Sequence, residues 1–527
     1  MNIGASIRKM RTNLNISQEK LATAIGVSKQ AVQKWETNTA TPETKHLITM
    51  ADFFHVPLDA LVFERSKRDY EEITFSGAIT PQYQKLHSWE SYMKQLDVEY
   101  QQCVDEGKDI SKYQELFHAV QMMPDSVDKE TAAETIFTIV NRAQKADQYP
   151  YIEPSSLEEI NKFCSGYMPA KNKKLTGKQM EDKIYGAWLG RICGCLLGKP
   201  IEGIKKEELT KLLQETGNYP MQRYINASDL SDEIMKHYTY PLKNRCYADT
   251  VSCAPVDDDT NYTVLAMKIV KDHGRDFTPE QVGEAWKSSQ SVYAYCTAER
   301  VAFKNLINGF LPPDSAIYKN PYREWIGAQI RADYYGYINP GNPVKAAEMA
   351  WRDACVSHVK NGIYGAMFVA AMLAGAAVCS DIEEIIQIGL GQIPTTSRLH
   401  ESVAAILSMH RNGKSYADCI AFINEQYDDH EGHHWCHVIS NAMIVTTALL
   451  YGNANFGQSI CLAVQAAFDT DCNGATVGSI IGMLKGKAAI GPEWYAPVHG
   501  MLDTSIFGIG KVKIDDLVKE TLSKLRK

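Results

Sequence analysis

Two acidic clusters carry the strongest chemical signal in this chain: Asp257-Asp258-Asp259-Thr260 and Asp469-Thr470-Asp471-Cys472. They lie more than two hundred residues apart, and each stands immediately before an apolar run of helical character. Adjacent carboxylates repel one another unless a proton or a cation neutralises them, so two such knots in one chain point to a divalent metal site. Hard oxygen donors favour Mg²⁺, Mn²⁺ or Ca²⁺ over zinc. A single Asp so placed can equally be a helix cap that complements the helix dipole. It is the recurrence of the cluster that turns the reading toward metal.

The elements that must position these acids are helices. Strand signals are sparse in residues 176–527, and Ala-, Gly- and Leu-rich runs dominate (Ile363–Val378, Val438–Tyr451, Gly474–Leu484). The expected fold is all-α, with close-packed helices. Gly186, Gly190, Gly194 and Gly198 recur every four residues and leave a smooth stripe for another helix to approach; Gly474, Gly478 and Gly482 repeat the device. In a membrane such spacing would suggest dimerisation; here it reads as packing.

Composition sets the outer limits. A chain of 527 residues predicts several domains with ample core. The net charge of −8 argues against a protein coated in nucleic acid but leaves room for a small DNA-reading surface. Thirteen cysteines without a C-x-x-C pair, and no basic-then-apolar segment after Met1, point to a cytoplasmic location with free thiols. The most apolar stretch, Ile184–Ile201, carries Arg191 and Lys199, so no membrane span is expected. Gly486-Lys487 is followed by Ala488, which leaves no phosphate-binding P-loop.

Residues 1–65 read as a bundle of short helices. Ile3, Ile7, Met10 and Leu14 recur at helical spacing; Ser17 and Ser28 are fitting N-caps, and Gly26 can end a helix in the left-handed conformation. Leu21, Ile25, Val32 and Trp35 are expected inward, with Lys29, Gln30, Gln33 and Lys34 outward. Ser17-Gln18-Glu19-Lys20-Leu21-Ala22, Ile25-Gly26-Val27-Ser28 and Val32-Gln33-Lys34-Trp35-Glu36, followed by Pro42, resemble the helix-turn-helix domain of phage-repressor-like (Cro/C1, XRE) regulators. The resemblance implies that the third helix enters the major groove of double-stranded DNA, with Ser28, Lys29, Gln30, Gln33 and Lys34 as the contacting residues. The alternative is a domain used only for dimerisation or protein contact. Eight Lys and Arg against six Asp and Glu in this segment give a weak electrostatic footprint.

Residues 66–175 read as a helical connector, able to mediate a homodimer, with no visible chemistry. Trp89–Asp105 and Glu130–Ala146 are expected to be helical, Pro150 and Pro154 punctuate the segment, and Lys171-Asn172-Lys173-Lys174 reads as a solvated hinge.

Gly186-Ala187-Trp188-Leu189-Gly190, continuing through Gly194 and Gly198 to Pro200-Ile201-Glu202, resembles the opening motif of the ADP-ribosylglycohydrolases. That family includes the dinitrogenase-reductase-activating glycohydrolases and the ADP-ribosyl-acceptor hydrolases. The Asp257–Thr260 cluster resembles its first metal motif and Asp469-Thr470-Asp471 its second, so the likeness spans nearly all of 176–527. The resemblance implies an all-α fold with a two-ion Mg²⁺ centre, Mn²⁺ being the alternative. It implies removal of ADP-ribose from a modified protein or small molecule by cleavage at the anomeric carbon. Asp258, Asp259, Asp469 and Asp471 would then be metal ligands, with Asp257 and Cys472 as further candidates. Glu202 would activate water or sense the second ion, and catalysis would depend on it with Asp258 and Asp471.

Three positions depart from the family pattern. Asp257 stands where well-known members have Thr or Ser, Phe468 replaces a glycine, and Cys472 stands where a hydroxyl often ligates metal. A thiol is a poor ligand for Mg²⁺.

Ser357-His358 and Gly362-Ile363-Tyr364-Gly365-Ala366 resemble the family segment that approaches ADP-ribose, which makes His358, Gly362 and Tyr364 substrate-binding candidates. A lone His on an apolar helix can equally be a core group. Gly327–Arg331 and Asn339–Pro343 could shape the pocket. The run His430–His437 fits no standard structural zinc spacing and reads as a loop at the cleft edge, with His437 a substrate-binding candidate. Two functions are consistent with this organisation. One is a hydrolase with a DNA-binding head. The other is an ADP-ribose-sensing transcriptional regulator with little or no turnover, whose pocket must bind its ligand differently in two states. A third reading keeps the chemistry but takes another N- or O-linked ribosyl compound.

Overall fold

Two local signals, the capping hydroxyl and the terminal glycine, set the amino-terminal helices. The structure is a computed structural model describing residues 3–56, 58–62, 80–168 and 175–525. The expected boundary at residues 65 and 66 and the Lys171–Lys174 run lie outside the described residues. The chain divides into two compact units, Met1–Gln82 and Tyr83–Lys527.

In the first unit, helices Ile3–Asn13, Gln18–Ile25, Lys29–Glu36, Thr44–Phe54 and Leu58–Val62 follow one another. Ser17 Oγ accepts from Lys20 N at 3.2 Å, Ser28 Oγ from Ala31 N at 3.2 Å, and Gly26 closes the second helix at φ 71°. Ile7, Leu21, Ile25, Val32 and Trp35 form the core with Met50 and Phe54. Leu14, expected to join that stripe, is instead 52% exposed, because the first helix ends at Asn13. Glu36 is buried and accepts from Arg11 Nε at 2.6 Å and from Gln18 Nε2 at 2.8 Å, which ties three helices through one carboxylate.

The second unit is helical throughout. The only strands among the described residues are the antiparallel pair Met501–Leu502 and Val512–Lys513. Its spine is the helix Gly177–Gly198, opened by a Thr176–Gln179 capping box and packed antiparallel on the helix Thr470–Lys485. A Cβ on Gly186, Gly190 or Gly194 would stand 2.3, 2.1 or 2.0 Å from the carbonyl oxygens of Gly482, Gly478 and Gly474. The two glycine stripes are therefore partners, and the helices touch at backbone level. Lys183 Nζ donates to the carbonyls of Ala376, Met483 and Leu484, placing a cation at the negative ends of two helices.

The stripe ends at the site. Thr470 Oγ1 donates to Gly198 O at 3.0 Å, so Lys199–Glu202 lie beside Asp469–Asp471. The first acidic cluster opens the helix Asp258–His273. Arg191, fully buried in the spine, holds that helix by donating to Asp259 Oδ1 and to Asp259 O.

From Tyr83 on, the connector packs against the large domain. Arg323 bridges Glu99 at 2.9 Å and Glu106 at 2.6 Å, Arg398 pairs with Glu153 at 2.9 Å, and Gln102 donates to Glu324 at 2.8 Å. The expected Trp89–Asp105 helix is shorter, Leu96–Asp105, preceded by two single 3₁₀ turns. Gln95 at φ −126° interrupts the run, and Gln121 Oε1 takes the Leu96 amide. No helix of the described residues is long and apolar enough to cross a membrane.

Candidate metal centre and active site

The two acidic clusters meet in one buried pocket. Donor atoms of Asp259, Asp471 and Cys472 lie within 4.8 Å of one another, as do those of Cys195, Asp257 and Asp259. Asp259 Oδ2, Asp469 Oδ1 and Asp471 Oδ1 are buried and have no hydrogen-bond partner among the described residues. Burying carboxylate oxygens without donors is unfavourable unless a proton or cation compensates. The pocket is thus built for a positive guest.

Electrostatics agree. Burial, then Asp257, lifts the Asp258 carboxyl to about 7 and the Asp471 carboxyl to about 6. Asp259 is pushed well above the carboxylate range by burial and Asp257, against the opposing pull of Arg191. Asp469 is pushed up by burial and by Asp471. Glu202 rises well above its usual value, chiefly through Asp471, then burial, then Asp469, Asp257 and Asp258. Its turn is fixed from outside by Tyr240, whose hydroxyl donates to Glu202 O at 2.8 Å.

Asp257 differs from its neighbours. Its Oδ1 caps the helix by accepting from Asp259 N at 2.9 Å, and its Oδ2 takes Lys199 Nζ at 2.6 Å. Both of its oxygens have protein partners, one of them through the helix cap. Arg191 similarly compensates part of Asp259 and reaches Asp333 at 3.0 Å. The remaining unsatisfied oxygens, on Asp259, Asp469 and Asp471 with Asp258 beside them, suit a hard divalent cation. The Cys472 thiol is close, but burial and the surrounding carboxylates push its pKa well above the thiol range, which makes it a poor donor to such an ion.

Residues 176–526 match the family described as ADP-ribosylglycohydrolase. The chain belongs to that family. Residues 7–61 of this ADP-ribosylglycohydrolase family member match the helix-turn-helix family. The HTH-type transcriptional activator BcrR of Enterococcus faecalis is 34% identical over 62 residues, which is 12% of this chain and 30% of that regulator. The chain therefore spans under a third of that relative's length. A solved structure described as an ADP-ribosylglycohydrolase-related protein complex is similar with a TM-score of 0.42 and 17% identity, over 66% of this chain and 99% of that one.

The substrate candidates of this family member have other contacts. His358 is fully buried with Nδ1 2.8 Å from the Ser357 hydroxyl, and burial holds its pKa well below the usual value. A Cβ on Gly362 would meet Arg323 O and the His358 ring, and the Tyr364 hydroxyl donates to Pro154 O. Of these partners only Pro154 belongs to the connector, and His358 Nε2 is buried without a hydrogen-bond partner among the described residues. His437 caps the helix Val438–Tyr451 through Nδ1, on the loop that does reach the pocket. In the first unit Ser28, Lys29, Gln30, Gln33 and Lys34 are all exposed on or beside the third helix.

Sequence reasoning gave Lys199, Arg191 and Asn441 no part in the site. The two cations are the only charges in an otherwise apolar helical run, which is a signal of paired burial. Asn441 Oδ1 accepts from Asp469 N at 3.3 Å and from Asn473 Nδ2 at 2.8 Å, which braces the second acidic turn.

Proposed function

We propose that this chain is a divalent-cation-dependent hydrolase that removes ADP-ribose from a modified protein or small acceptor. In this proposal residues 1–65 form a DNA-binding head, 66–175 a helical connector and 176–527 the catalytic domain. The observation that carries the proposal is the convergence of both acidic clusters on one pocket with three donorless, buried carboxylate oxygens. Two Mg²⁺ ions, or Mn²⁺ in their place, held by Asp258, Asp259, Asp469 and Asp471, would supply Lewis acidity and a grip on vicinal ribose hydroxyls.

The chain's own groups do the rest. Glu202 takes the proton of the attacking water as general base, its proton affinity set by Asp471 beside it. Lys199 pairs with Asp257 and holds it in place as a cap, while Arg191 orients Asp259. Phage-repressor-like heads read DNA as dimers on paired half-sites, so the proposed DNA-bound form is a homodimer.

Release of free ADP-ribose from ADP-ribosylated Arg, Ser and peptide substrates in Mg²⁺ tests the reading. Asp258→Asn and Asp471→Asn should each lower release about a hundredfold or more, the scale of losing a group that stabilises developing charge. Tight Mg²⁺-dependent ADP-ribose binding without any release would reject the hydrolase and leave the sensing regulator, which the fused helix-turn-helix unit supports.

A further inference from the structure

Asp105, His433 and His437 bring three potential ligand atoms within 4.8 Å of one another, a cluster with the composition of a zinc site. Hydrogen bonding argues against metal there. Trp325 Nε1–H donates to His433 Nδ1 at 3.2 Å, and the Ile439 amide donates to His437 Nδ1 at 3.2 Å. Indole and amide N–H are donors only, so both Nδ1 atoms are acceptors and each neutral ring carries its proton on Nε2. His433 Nε2–H donates to Asp105 Oδ2 at 2.8 Å, while His437 Nε2 lies 4.0 Å from the same oxygen, beyond hydrogen-bond reach. A metal would need lone pairs where the protons sit. The carboxylate is instead the acceptor for the His433 imidazole, with the His437 ring beside it.

What Asp105 holds is the loop that reaches the acidic pocket. Two residues beyond His433, Trp435 Nε1 donates to Phe468 O at 3.0 Å, and Cys436 Sγ lies 3.8 Å from Asp469 Oδ2. Asn441 closes the circuit, donating to Trp435 O at 3.0 Å and His437 O at 2.9 Å while accepting from the Asp469 amide. Asp105 is itself rigidly placed. It ends the helix Leu96–Asp105, its carbonyl takes the Tyr149 hydroxyl at 2.9 Å, and its neighbour Glu106 is locked by Arg323 and by Lys360 at 3.1 Å.

We propose that Asp105, on the connector, is a positioning residue for the acidic site, aligning Asp469 through the His433–His437 loop. This rests on the reading of the acidic pocket as the reaction centre. It makes the connector a working part of the large domain: any movement of the helix Leu96–Asp105 displaces the turn that carries Asp469 and Asp471.

The test uses the full chain and Mn²⁺ as the probe, with free Mn²⁺ read by electron paramagnetic resonance and folding checked by circular dichroism. Asp105→Leu, close in shape but without an acceptor, should weaken Mn²⁺ binding by about tenfold or more, the scale of losing a group that orients a metal ligand. Asp105→Asn, which can place its amide oxygen against His433 Nε2–H, should stay within about threefold of the parent. Unchanged affinity in Asp105→Leu overturns the proposal alone, and so does an Asn variant as weak as Leu. No Mn²⁺ binding by the parent chain overturns the pocket reading and the proposal with it. If Asp105→Leu fails to fold, Trp435→Phe removes the indole N–H to Phe468 O together with part of the ring, and unaltered affinity there overturns the proposal. Stoichiometric zinc held by the parent and lost in His433→Ala overturns the tautomer assignment on which it stands.

Discussion

Replacing Lys199 by Met isolates one of the two charge compensations that this site carries in its own sequence, the other being Arg191 on Asp259. Lys199 Nζ lies 2.6 Å from Asp257 Oδ2, with side-chain exposures of 21% and 1%. Burial works against the ammonium, yet Asp257 and Asp471 hold its pKa above the usual lysine value. Its contribution is therefore intact below the lysine range, is lost only in strong alkali, and is fully present at neutral pH. Removing one partner of a buried pair strands the other charge, at about 3–5 kcal/mol, whereas an exposed pair is worth about 0–1 kcal/mol. Lys199→Met in EDTA should lose an amount near the first range. Asp257→Asn combined with Lys199→Met should recover at least about half of the loss, since the stranded charge is then gone. Urea unfolding of the full chain, followed by circular dichroism with and without Mn²⁺, reads both numbers. A loss under about 1 kcal/mol, or a double variant no better than the single, would refute the compensation argument.

Three further outcomes are expected. Asp258 at about 7 and Asp471 at about 6 bind protons more tightly folded than unfolded, so their contribution is full below about pH 4 and lost as pH rises through 6 to 7. The chain in EDTA should thus melt higher at about pH 5 than at about pH 8, and Mg²⁺ should narrow the gap because binding displaces those protons; equal melting temperatures in EDTA would contradict this. Gly194→Ala sets a methyl 2.0 Å from Gly474 O and should lose about 3 kcal/mol, because the obstructing atom is backbone; under about 1 kcal/mol would mean the helices can separate freely. Gln33→Ala and Lys34→Ala should each weaken a gel shift on the chain's upstream DNA by about tenfold, and undiminished binding would assign recognition to another face.

What the sequence made legible is local or periodic. Ser17, Gly26 and Ser28 act through neighbours within a few residues, and the two glycine stripes announce themselves by spacing alone. The acidic clusters were visible because like charges in succession demand an explanation. Pairings across the fold were not visible. Lys199 finds Asp257 fifty-eight residues on, and Asp105 finds His433 after 328. Nothing in residues 66–175 signals chemistry, because Glu99, Glu106 and Glu153 acquire meaning only against Arg323 and Arg398. Motif likeness alone marked His358 and Tyr364; the hydrogen bonds of His358 Nδ1 to Ser357 and of Tyr364 to Pro154 could not be read from the sequence.

The backbone seam between Gly186–Gly198 and Thr470–Gly482 has a consequence for how this protein can diversify. The seam holds Gly198 against Thr470 across a sequence separation of 272, while Tyr240 and Asn441, inside that excursion, brace the Glu202 and Asp469 turns that flank it. Insertions and exchanges elsewhere in that long excursion can remodel the surrounding loops while the seam stays in register, whereas Asp257–Asp259, Tyr240 and Asn441 within it are held to their places.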